Sequence, residues 1–283
     1  MQKFNYFLFG LLLIGPSLSH ASEIAGKLNK GEISIESFWL YEFQRDEYEV
    51  ASSEEATETS TAVLSTYLEF AATDKLSFVT LIDYADENVK DLNTNTNTKS
   101  NGLQKVGAGV YYQNDYLADK FFVISAMLQP KLARRQDNRL LQDRTRLALE
   151  IYHEWIRPTG SWGLGLLLNP SLDSTELDNG EKVSGGDTVN ALIYYEKDLT
   201  DGVTLGTRLQ WVSQLDEKNE DTDTKLEFAD RVILSLYYVE AVSKNWEIIS
   251  FLNYHRGLEK DVNDSDIKLD DGKEIHFGMR YTL

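Results

Sequence analysis

Along most of its length the chain alternates apolar and polar residues with a period of two. The final stretch shows the pattern most plainly. From Lys273 to the terminal Leu283 it reads K-E-I-H-F-G-M-R-Y-T-L, with Ile275, Phe277, Met279, Tyr281 and Leu283 on one parity. Glu274, His276, Gly278, Arg280 and Thr282 occupy the other. A strict two-residue period is that of a β-strand with one apolar and one polar face. The same alternation predicts twelve strands, near residues 32–44, 61–71, 76–87, 103–114, 120–129, 144–157, 162–169, 188–197, 203–215, 229–241, 246–256 and 273–283.

The connections alternate in length. Short turns are expected at 73–75, 115–119, 158–160, 199–202 and 243–245, and long polar loops near 45–60, 88–102, 130–143, 170–187, 216–228 and 257–272. The Asn/Thr run at 93–98 and the acidic run at 216–223 read as solvated loop tips. Long aliphatic and aromatic residues fill the apolar parity, as in Val232-Leu234-Leu236-Tyr238 and Leu147-Leu149-Ile151. Aromatic residues gather near strand ends, at Trp39, Tyr41, Trp155, Trp162, Trp211, Trp246 and Tyr254, where two interfacial girdles would lie. A soluble β-sandwich would not need those girdles. The pattern predicts an all-β, transmembrane, antiparallel up-and-down β-barrel with short turns on the side of both termini, whose closure satisfies the backbone of every strand in lipid.

The N-terminus fits that destination. Lys3, an apolar run from Phe7 to Ile14, Pro16 and the small-residue sequence Ser19-His20-Ala21 form the layout of a secretory signal peptide. The apolar run is far shorter than the roughly 20 residues of a spanning helix. Residues 1–21 are therefore expected to be removed and 22–283 to form the barrel, in the bacterial outer membrane. There is no cysteine, and the formal net charge is −18. Such acidity argues against nucleic acid, whose binding rests on neutralising phosphates. Acidic loops suit a surface beside outer-membrane lipid and lipopolysaccharide bridged by divalent cations.

With the apolar parity facing lipid, the other lines the lumen. Its basic members are Lys105, Lys131, Arg144, Arg146, Arg208, Arg231 and Arg280, and its acidic ones include Glu36, Glu42, Glu69, Asp83, Glu150, Glu154, Glu196 and Glu247. Tyr67, Tyr111, Tyr152, Tyr194 and Tyr237 share that face. Facing lipid, an Arg or Lys at the midplane would cost roughly 2–4 kcal/mol, so the interior is expected to be polar and wet. Either these charges pair across strands and plug a stiff barrel, or they leave an open pore. Tyrosine and arginine suit small anionic solutes such as sugar acids, the ring stacking on a pyranose and the guanidinium gripping a carboxylate. The loop from Pro130 to Asp143 carries Lys131, Arg134, Arg135 and Arg139. Folded inward it would form a basic constriction; folded outward it would meet lipopolysaccharide phosphate.

Barrel enzymes of the lipase or deacylase type need Ser with His, or paired acids, at one depth. Only His153, His255 and His276 follow the signal segment, and no G-x-S-x-G occurs. No spacing suggests a triad, a metal centre or a cofactor site. A channel is the expected activity, with an enzyme or a plugged structural or adhesive barrel as alternatives.

The layout resembles the oligogalacturonate-specific porin (KdgM-like) family. The similarity lies in Leu199-Thr200-Asp201-Gly202-Val203-Thr204-Leu205 with Arg208, in Ser243-Lys244-Asn245-Trp246-Glu247 and in the ending Gly278-Met279-Arg280-Tyr281-Thr282-Leu283. The resemblance implies a twelve-stranded monomeric channel for acidic oligosaccharides, with Arg208, Arg231 and Arg280 at positions matching pore arginines. The strand from Lys273 to Leu283 also resembles the signal read by the barrel-assembly machinery, with Leu283 where Phe or Trp is usual.

Overall fold

The computed structural model describes residues 28–50, 53–92, 94–117, 119–132, 142–176, 180–223, 225–226, 230–258, 260–262, 265–268 and 272–283. The expected signal peptide and residues 133–141 of the basic loop lie outside them.

Twelve long strands form the barrel: β1 (Ile33–Val50), β2 (Ser53–Ala71), β3 (Leu76–Asp91), β4 (Thr96–Leu117), β5 (Lys120–Gln129), β6 (Arg146–Arg157), β7 (Gly160–Asn169), β8 (Thr188–Thr200), β9 (Val203–Gln214), β10 (Arg231–Ala241), β11 (Trp246–Gly257) and β12 (Gly272–Thr282). Each pairs antiparallel with its neighbours in sequence, and β12 pairs with β1 from Ser34↔Thr282 to Phe43↔Lys273. The sheet is thereby closed. At the seam the terminal residue is bound in both directions: Leu283 N donates to Ile33 O (2.8 Å) and Ile33 N to Leu283 O (3.2 Å). Closure removes the unpaired edges that an open sheet would present to lipid. No helix occurs among the described residues.

The period-two pattern becomes two surfaces. Ile275, Phe277 and Met279 point outward while Glu274, His276, Gly278 and Arg280 are buried inside. Trp155 and Trp162, paired across β6 and β7, stack outside with centroids 3.9 Å apart and planes at 8°. Trp246 lies 4.6 Å from Tyr281 on the same, turn-side rim. Toward the other rim, Tyr41, Tyr84, Trp211 and Tyr254 face outward, and Trp211 Nε1 donates to Asp230 Oδ2 (3.1 Å).

Two expected loops are largely strand instead, and a third, 257–272, carries short strands at Lys260–Val262 and Ser265–Lys268, the latter paired with β1. β1 and β2 remain paired out to Val50↔Ser53, and β3 and β4 to Asp91↔Thr96. Both hairpins thus extend well past the apolar alternation, on Thr- and Val-bearing segments that suit a pleated backbone but mark no buried face. The acidic run at 216–223 is not wholly a loop tip either. Glu217–Asn219 pairs with Lys182–Gly185, and with Thr175–Glu176 and Lys225–Leu226 it makes a four-stranded sheet of loop segments on the long-loop side.

Candidate functional site

The lumen is built from the inward parity of all twelve strands, and it is not uniformly polar. Phe38, Phe121, Val123, Leu167, Leu192, Ile249 and Phe251 point inward together with Tyr111, Tyr152, Tyr194 and Tyr237 and form one buried apolar cluster. The expected wet interior is therefore crossed by a packed aromatic and aliphatic layer. Charge counting on one parity overlooked it because these residues alternate along the strands with the acids and arginines.

The basic residues fall at several levels. Next to β6, on the loop side, Arg144 pairs with Glu217 (Nη2 to Oε1, 3.1 Å) and donates through Nη1 to the Gly185 carbonyl. Arg146 donates to the carbonyls of Gly186 (3.1 Å) and Asn169 (3.4 Å). Both arginines are buried and tie the loop sheet to the barrel wall. Lys131, half-buried just beyond β5, donates its backbone N–H to Thr145 Oγ1 (3.3 Å). Arg231 is buried at the start of β10. Among the described residues it has no ion-pair partner. Lys105 enters the lumen at a β-bulge, where Asp83↔Lys105 and Tyr84↔Leu103 leave Gln104 as an extra residue. Its Nζ lies 3.9 Å from Asp83, which also accepts from Ser65 Oγ (2.5 Å). A cavity of about 70 Å³, enough for a few waters, is lined here by Tyr67, Lys105, Tyr111, Ser125, Glu150 and Asn190.

Arg280, nearer the turns, is bound by Glu36 on β1 (Nη2 to Oε2, 3.3 Å) and Glu247 on β11 (Nη1 to Oε2, 2.9 Å). Arg208 differs from it. It is 1% exposed and donates through Nη2 to Ser235 Oγ (3.1 Å), with its Cζ 6.0 Å from the Phe251 ring centroid. Its Nε and Nη1 have no hydrogen-bond partner among the described residues. Tyr237 donates to Glu196 Oε1 (2.8 Å), which with Ser161 Oγ on Oε2 (3.2 Å) forms a polar network inside the apolar layer. The structure thus brings Arg144 to Arg146 and Arg208 to Tyr237 and Phe251, while Arg280 lies six residues along β12 from Glu274, the residue that Arg208 reaches in register through Ser235 and Asn253.

One cluster escaped the sequence reading. The histidines look scattered, yet strand register brings two of them to one carboxylate. Glu274 pairs with Asn253 on β11 and with Glu42 on β1. Its Oε1 lies 3.0 Å from His255 Nε2 and its Oε2 2.9 Å from His276 Nε2, and Asn253 Nδ2 donates to Oε2 (2.8 Å). Glu274 and His276 two apart on the inward parity, and His255 on the inward parity of the preceding strand, were the available signal. His153 faces outward against Trp155 (4.0 Å between centroids).

A scan against protein-family models gave no match, and a search of curated proteins gave none either. Solved structures do share the fold. An outer-membrane channel from Pseudomonas putida F1 is similar at a TM-score of 0.69 and 9% identity, over 90% of this chain and 97% of that one. The translocator domain of the autotransporter NalP from Neisseria meningitidis gives 0.54 and 11%, over 92% of each chain. The KdgM porin gives 0.43 and 9%, over 87% and 98%, an overlap that adds nothing finer. At these identities the likeness is one of fold, and with the closed sheet and lipid-facing apolar band it defines a β-barrel of the outer-membrane type.

Proposed function

We propose that this barrel is a passive channel of the outer membrane for small anionic solutes. The observation that carries the reading is Arg208: a buried interior guanidinium whose Nε and Nη1 meet no acceptor among the described residues, with an aromatic face beside it. Such a group has charged donors to offer an anion, and its partner would be a solute. The cavity beside Lys105, whose lining mixes Lys105, Glu150 and Asn190 with Leu81, Met127 and Leu167, adds a second level. The similar Pseudomonas protein is described as an outer-membrane channel, which agrees with this reading. Among the described residues both inward histidines turn to Glu274 and not to a serine.

The apolar layer favours a second reading, a plugged structural or adhesive barrel. Planar-bilayer recording separates the two. Discrete conductance steps with an anion-selective reversal potential support the channel, and Arg208→Ser with Arg231→Ser should move that potential toward cations. A silent bilayer from folded protein supports the plug. Block of the current by oligogalacturonate, and not by acetate, would extend the solute class to the acidic oligosaccharides implied by the porin resemblance.

A further inference from the structure

We propose that Glu42, His255 and Glu274 form a binding site for one divalent transition-metal ion of the zinc class, placed across the seam at which the barrel closes. The three side chains come from β1, β11 and β12, the first strand and the last two. All are buried, at 6%, 2% and 1% exposure, and each offers a donor atom within 4.8 Å of the others. An ion about 2.1 Å from each donor needs separations near 3.4 Å. The His255–Glu274 contact of 3.0 Å is already near that value, and rotation of the Glu42 side chain by about 1.5 Å at most completes the set.

Charge and hydrogen bonding both point to a cation. Glu42 and Glu274 are directly opposed across β1 and β12, so two carboxylates on one face offer their oxygens toward a shared cation. His255 is the independent sign: its Nε2 lies 3.0 Å from Glu274 Oε1, and its Nδ1 is buried with no hydrogen-bond partner among the described residues. A buried imidazole with one ring nitrogen unpartnered still has a position to offer. Glu274 is held ready from the far side, its Oε2 bonded to His276 and Asn253 while Oε1 faces the site. His276 therefore acts as a positioning residue for that carboxylate. Imidazole nitrogens with carboxylate oxygens select zinc-like ions over magnesium or calcium, which prefer all-oxygen shells. An ion bound here clips β11 and β12 to β1 and so stabilises the closed barrel.

The test uses untagged protein refolded in detergent, stripped with EDTA and given Zn²⁺. Gel filtration followed by metal analysis should show one equivalent retained, lost in His255→Ala and in the milder Glu274→Gln and kept in the lipid-facing control His153→Ala. Cobalt(II) in place of zinc should give a visible d–d band that disappears in the same variants. The temperature at which the band shifts in detergent gels should rise by several degrees with zinc and not in His255→Ala. A folded barrel that retains no zinc overturns the site, as does retention that survives both substitutions. Retention with no change in unfolding temperature overturns the clip.

Discussion

The Tyr237 ring occupies the space that a side chain at Gly206 would need, and the two residues are direct cross-strand partners on β10 and β9. The same relationship recurs at Gly163 with Tyr194, Gly165 with Tyr152 and Gly278 with Phe38, each a register pair facing the lumen. Glycine here is a matter of room, since none of these four sits at a positive φ. An aromatic ring laid over a bare strand shields backbone that glycine leaves uncovered. Gly206→Ala should displace Tyr237 and cost about 1–3 kcal/mol, the usual cost of overpacking. Urea unfolding in micelles would measure it. In a Tyr237→Ala background the Gly206→Ala penalty should largely vanish, because the atom that clashes is gone.

These pairs show what a single sequence can and cannot disclose. The outward face was legible because lipid requires nearly every residue there to be apolar, so the period stands out from Ile275 to Leu283. Inside, a tyrosine above a glycine reads the same as a tyrosine in a wet pore until register is known. Register also decided the histidines. His255 and Glu274 are 19 positions apart in the chain but one step apart across β11 and β12. The long first hairpins were missed for the opposite reason: β1 and β2 continue into segments polar on both faces, where no apolar period exists to detect.

Arg280 binds the closing seam electrostatically. Truncating it to Ala would remove the ion pairs with Glu36, which is 3% exposed, and with Glu247. Breaking a buried pair in this way costs about 3–5 kcal/mol, so the gel-shift temperature of Arg280→Ala should fall sharply. Glu36→Gln with Glu247→Gln and Arg280→Met should recover most of the loss, since no uncompensated charge remains. Equal destabilisation in the single and triple variants would contradict this account.

On the loop side, Arg144 is the bolt between the barrel and the loop sheet, through Glu217 and the Gly185 carbonyl. Neutralising its partner should loosen the sheet without opening the barrel. Glu217→Gln is expected to raise the open-channel current and the frequency of brief closures in bilayer recordings, and to leave the gel-shift temperature nearly unchanged. Arg144→Ala should do the same and more, since it also removes the contact with the Gly185 carbonyl, and adding Glu217→Gln to it should change little.

A solute crossing the proposed channel would have to pass the apolar layer, and Phe251 is one of its rings. It lies 6.3 Å from Phe38, 5.2 Å from Tyr237 and 5.8 Å from His276, measured between centroids, with the Arg208 guanidinium 6.0 Å away. Phe251→Ala removes one wall of the constriction and uncovers Arg208 at the same time. Truncating a buried phenylalanine costs about 3–5 kcal/mol, which urea unfolding should register. Conductance should rise severalfold, because the narrowest level widens by a ring. Anion selectivity should rise with it, since the newly wetted guanidinium sits at that level and loop charges beyond about 8 Å are screened at physiological salt. A barrel that is silent in the native form and conducts only as Phe251→Ala would instead identify the layer as a permanent plug. Unchanged conductance in a folded variant would place the barrier elsewhere, with the Arg144–Glu217 mouth as the remaining narrow level.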